Sequence, residues 1–136
     1  MKIDYENRNY EELSYFAINF AGARMMPPAI LGGFTLTANI FLISISQSID
    51  TFHWSDLLGI IFYVCFMSFI ITSILFDIYG GQAQKLELKN IEISDKIRII
   101  IRIINRINFV NKLLVATEVI MIFSMLYSGI AYIMGG

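Results

Sequence analysis

Three long stretches of this chain are almost free of charge, and they limit what it can fold into more than any other feature. Residues 27–49 and 57–76 contain no Asp, Glu, Lys or Arg, and 113–134 contains only Glu118. At ~1.5 Å of rise per residue, about twenty residues of helix cover ~30 Å, the thickness of a bilayer's hydrocarbon core. Composition points the same way. Hydrophobic residues make up 57% of the chain and mean hydropathy is +0.66, where soluble domains average ~45–50% apolar. The expected fold class is an all-α integral membrane protein. It is a three-transmembrane-helix bundle with an N-terminal amphipathic helix and a cytoplasmic basic amphipathic helix before the third span. A chain of 136 residues has room for one such unit and no separate soluble domain.

In chain order, residues 10–23 read as the first amphipathic helix. Tyr10, Leu13, Phe16, Ala17, Phe20 and Ala21 recur at helical spacing, opposite Glu11, Glu12, Ser14 and Asn19. Asn9 and Glu12 have the spacing of a capping box. A cleaved signal peptide is the competing reading, since Ala21-Gly22-Ala23 resembles a cleavage site. Asp4, Glu6, Glu11 and Glu12 against Lys2 and Arg8 argue against it, because a secretory signal needs a positive leader. The first span is 27–49, with Pro27 and Pro28 in its first turn, where a helix tolerates proline. The link 50–56 carries Phe52, His53 and Trp54, which suit a membrane–water interface. The second span is 57–79, ended by Gly80-Gly81. Residues 80–93 form a polar cytoplasmic connector, in which KLELKNIEI fits either a short strand pair or an irregular helix. The third span is 113–134.

Residues 94–112, SDKIRIIIRIINRINFVNK, form the basic amphipathic helix. On a helical wheel Arg98, Arg102 and Arg106 fall on one side with Asp95 and Asn105, and five isoleucines from Ile99 to Ile107 fall on the other. All ten Lys and Arg residues lie in two places: three before the first span, and seven between the second and third. The positive-inside rule then places the chain in the plasma (inner) membrane with its N-terminus cytoplasmic and its C-terminus outside. A four-span arrangement would bury the arginines at ~2.5–3.5 kcal/mol each.

Little in the sequence carries chemistry. No hydrolase, metalloprotease, nucleotide-binding or redox motif is present, so the expectation is no enzyme and no cofactor. The single Cys65 and single His53 give no metal or disulfide pattern, and a net charge of −1 gives no reason to expect nucleic acid. The candidate intramembrane polar residues are Asn39, Glu118 and Asp77. Asn39 fits an interhelical hydrogen bond. Glu118 fits an ion pair near the headgroups with Arg24 or Lys112, or a cation or proton path shared with Asp77 at a similar height. Arg98, Arg102 and Arg106 are candidates for contact with anionic lipid or an acidic partner. Ala29, Gly32, Gly33, Ser124 and Ser128 are candidates for close helix packing. The expected partners are the bilayer and either a second copy or another membrane protein. The leading functional expectation is a non-enzymatic interaction or accessory subunit of a membrane assembly. An oligomeric, holin-like pore and an immunity protein against a membrane-active toxin are the alternatives.

Overall fold

Three helices account for nearly all of the described chain: α1 (Lys2–Ser46), α2 (Trp54–Glu87) and α3 (Ile93–Ile133). The structure, a computed structural model, describes residues 2–46 and 54–134. His53 and most of the expected link 50–56 lie outside these residues.

The helices form an all-α three-helix bundle whose core follows one rule. In α3 the buried positions are Ile100, Ile103, Ile107, Val110, Leu114, Thr117, Met121 and Ser124, alternating steps of three and four. In α2 they include Phe62, Cys65, Phe69, Thr72 and Phe76, and in α1 Tyr10, Ser14, Ala17 and Ala21. A repeat near 3.5 keeps a single seam facing its neighbours over many turns, as in a left-handed coiled coil.

Neighbouring helices run antiparallel. Ser14, Ala21, Gly32 and Asn39 of α1 meet Glu87, Gly80, Phe69 with Ile70, and Gly59 of α2 in turn. Ser68 of α2 meets Thr117 of α3. α1 and α2 approach closely at Gly80 and at Gly32. A Cβ at Gly80 would lie 3.2 Å from the Ala21 Cβ, and one at Gly32 would lie 3.2 Å from the Ile70 Cδ1.

The separate pieces expected from sequence are fused. Pro27 and Pro28 lie inside α1, not at the start of a new helix. They remove two amide donors, and the Ser73 hydroxyl donates to the neighbouring Met25 carbonyl at 2.9 Å. The carbonyls that the prolines leave without their i→i−4 donors are those of Ala23 and Arg24. The seam before the prolines continues in step after them, through Pro28, Thr35 and Asn39, so packing holds one helix together. Gly80-Gly81 does not end α2, which runs on to Glu87 because Ala83 and Leu86 remain buried. The connector shrinks to 88–92, where Leu88 and Lys89 donate to the Lys85 and Leu86 carbonyls. The basic stretch 94–112 continues without a break into the apolar stretch as α3. Its isoleucine face is core, not a surface laid on a membrane.

Among the described residues, two helices are long and apolar enough to cross a membrane, over Leu57–Glu87 and Ile93–Ile130. The sequence led us to expect three. α1 is not one of them, and residues 47–49 of its expected span lie outside the described chain.

Candidate functional site

The polar residues of the bundle collect at two heights. Midway along, hydroxyls line the core: Thr35, Thr72, Thr117 and Ser124 are buried. Each bonds back to a carbonyl of its own helix, at 2.7 Å to Leu31, 2.9 Å to Phe69, 2.8 Å to Leu113 and 2.8 Å to Ile120 respectively. Such back-bonding satisfies a hydroxyl without water. Ser68 and Thr117 also bond across helices at 2.7 Å. Asn39 is buried and faces Gly59, and its Oδ1 finds no hydrogen-bond partner among the described residues. The interhelical bond expected of Asn39 is therefore not made through this oxygen.

Glu118 and Asp77 are not brought together. The Ser68–Thr117 bond sets the register of α2 against α3, and from it the two carboxylates stand ~15 Å apart along the bundle. Thr117 marks the α2-facing edge of α3. Glu118 lies about 100° further round, half-buried on the edge toward α1, two turns from the half-buried Asn111. No ion pair forms among the described residues, so Glu118 joins neither Arg24 nor Lys112. The Arg24 guanidinium lies instead over the Phe20 ring, 5.4 Å from its centroid. Asp77 is exposed on α2.

The second polar group ties all three helices together at the end where α1 and α3 begin. Ser14 donates to Glu87 Oε1 at 2.8 Å. The Lys96 ammonium donates to the Glu87 carbonyl at 3.4 Å and lies 5.5 Å from the centre of the Tyr10 ring. A cation at the last turn of α2 also suits the negative end of that helix. Sequence reasoning put Ser14 on the polar face. It is core, while Phe16 is exposed and stacks on Phe20. The missed signal is the step from Tyr10 through Ser14 and Ala17 to Ala21, which is the seam rhythm.

Tyr10 is buried and its hydroxyl has no hydrogen-bond partner among the described residues. Burial pushes the phenol above its ordinary value, the neighbouring Ser14 hydroxyl pulls it down, and the Glu87 charge adds a smaller upward push. A raised folded-state value means that the stabilising contribution is complete below about pH 10, the ordinary tyrosine value. It is lost as pH rises through the folded value. Tyr10→Phe is expected to be neutral or stabilising by up to about 1 kcal/mol, since it removes an unpaired buried hydroxyl. It should also flatten the alkaline limb of a helicity-against-pH curve. An unchanged alkaline limb would count against this account.

The basic residues take the outside. Arg98, Arg102, Arg106 and Lys112 are exposed on α3. Gly32 packs against α2, whereas Ala29 and Gly33 face outward, and a Cβ at Gly33 would meet nothing within 4 Å. Ser124 is buried and Ser128 half-buried. A groove runs between α2 and α3. One part, of about 340 Å³, is lined by Val64, Ser68, Leu113, Ala116 and Ile120 among others. The next, of about 300 Å³, reaches Leu57, Phe123 and Tyr127. Among the described residues no three His, Cys, Asp or Glu side chains converge. No family model, curated protein or solved structure matches the chain.

Proposed function

We propose that the chain is a small polytopic protein of the plasma (inner) membrane that acts as a non-enzymatic interaction or accessory subunit of a membrane assembly. It crosses three times, with its N-terminus cytoplasmic and its C-terminus outside. One observation carries the reading. At a common height all three helices turn large apolar side chains outward: Ile30 and Phe34 on α1, Met67 and Ile71 on α2, Val115 and Val119 on α3. A soluble monomer's largest apolar patch is ~300–600 Å² and does not encircle it, whereas lipid covers such a belt at no cost. Two helices qualify as spans by composition. The third crossing rests on α1, which pairs antiparallel with α2 across the same height. The core hydroxyls are satisfied by their own helices, which favours a packed bundle over a water-filled path within one chain.

Alkaline carbonate extraction followed by native mass measurement in mild detergent tests both halves of the reading. Release by carbonate defeats the integral placement. Retention with a strictly monomeric mass and no co-purifying partner defeats the interaction role. Ala29, Gly33 and Thr37 form an outward small-residue face on α1, of the kind that lets another helix approach closely. Gly33→Leu is expected to dissociate the assembly while stabilising the single chain's fold by up to about 1 kcal/mol through helix propensity. An assembly that survives the substitution places the contact elsewhere.

A further inference from the structure

We propose that the α2–α3 groove and the cations beneath it form a binding site for one anionic phospholipid of the cytoplasmic leaflet. This rests on the membrane reading above and adds a ligand to it. The deeper part of the groove extends from Leu113 and Ser68 up to Ile60. Across the two helices that is about eleven residues, or ~17 Å, close to the ~15 Å depth of one leaflet. Its walls are almost wholly apolar: Ile60, Val64, Leu113, Ala116 and Ile120 provide most of them. Ser68 and Thr117 turn their hydroxyls to each other. The site therefore suits a hydrocarbon chain.

The groove offers about 340 Å³ between α2 and α3, and a flexible acyl chain can lie in it without parting the two helices.

The lower end of the groove fixes the headgroup chemistry. Leu113 lines that end, and Lys112 is next to it in sequence. Arg106 lies seven residues before Leu113, which on a 3.5-residue repeat puts it on the same α2-facing edge, ~10 Å lower. Both cations are exposed, and neither forms an ion pair among the described residues. Arg102 continues the line one turn further down. The headgroup layer is ~5–7 Å deep on each side of the hydrocarbon, so a phosphate there stands within reach of the Arg106 and Lys112 side chains. Clustered cations at the cytoplasmic end of a span select anionic headgroups. Asp77, exposed on α2 at the height of Arg106, is the nearby charge that opposes an anion. Glu118 turns away toward α1.

The test uses the full chain in nanodiscs of equimolar phosphatidylcholine and phosphatidylglycerol, with native mass spectrometry of lipid retained after gentle release. One phosphatidylglycerol per chain is expected, favoured about 30-fold over phosphatidylcholine, from about fivefold for each of two cations. Arg106→Gln with Lys112→Gln should erase the preference. Ala116→Phe, at an exposed wall position, should lower retention of both lipids, because its ring fills the space that the acyl chain occupies. Val64→Phe, from the opposite wall, serves as a second groove variant if that substitution disturbs folding. Asp77→Asn should strengthen the preference. Equal retention of the two lipids by an inserted wild-type chain overturns the site and leaves the membrane reading standing. So does retention unaffected by both groove substitutions, or a second chain in place of lipid. Failure of the wild type to enter nanodiscs at all overturns the membrane reading instead.

Discussion

Ile100→Ala is expected to cost the fold about 2–5 kcal/mol, and Phe69→Ala, though it removes more atoms, only about 2 kcal/mol. Both side chains are fully buried. The difference lies in what surrounds each one when the helices separate. Ile100 belongs to the part of α3 that carries Arg98, Arg102 and Arg106, so on separation it meets water. Its truncation loses the transfer free energy as well as the packing. Phe69 lies at the height of the outward apolar belt. On the proposed membrane placement the separated helices remain in lipid there, which solvates a phenyl ring as well as the bundle does. What remains is the void: about 100 Å³ at ~24 cal/mol per Å³ gives ~2 kcal/mol. A bundle standing in water would show the reverse order, with Phe69→Ala at about 3–5 kcal/mol. Denaturant titration of helicity in mild detergent ranks the two variants, and the reversed order would sink the membrane placement.

Gly80→Leu is expected to destabilise the bundle by about 1–3 kcal/mol through overpacking. At Gly80 even one methyl would stand 3.2 Å from the Ala21 Cβ. That atom is attached directly to the α1 backbone and cannot swing aside, so the two helices must part. Gly80→Ala is the finer probe. It gains about 1 kcal/mol of helix propensity and loses some of the close approach. Combining it with Ala21→Gly moves the methyl to the other helix and restores the spacing. A coupling energy of about 0.5–3 kcal/mol between the two sites is expected. Additive effects would mean that α1 and α2 do not meet there in solution.

Helix content, the antiparallel order and the two long apolar helices were legible in the residues because charge is distributed so unevenly. The breaks were misread. Pro27-Pro28 and Gly80-Gly81 are local stop signals, and the seam overrides both: Pro28 is itself buried in it, and Gly80 allows close contact with Ala21. Ile100, Ile103 and Ile107 were correctly grouped on one face, but a wheel cannot say whether that face meets lipid headgroups or two other helices. Of the candidate residues, the polar Asn39 and the packing candidate Ser124 lie in the core, and the packing candidate Gly32 lies at the α1–α2 contact. Asp77 and Glu118 are separated by a register that no single-chain pattern encodes. The Tyr10–Ser14–Glu87–Lys96 group was invisible for the same reason, since it joins residues more than seventy positions apart.

The fusion of the basic and apolar parts of α3 has a mechanical consequence. On the proposed placement, the twenty residues 93–112 project ~30 Å from the bilayer as a direct continuation of the membrane-embedded rod. α2 likewise runs past the surface, to Glu87. Neither helix has a joint where it leaves the lipid. A sideways push on the projecting end therefore acts as on a lever with its fulcrum at the headgroups, and it displaces the far ends of α2 and α3 in the opposite direction. In α1 the two missing amide donors at Pro27 and Pro28 weaken the ladder near that same height, which makes it the one helix of the three able to bend while the others swing.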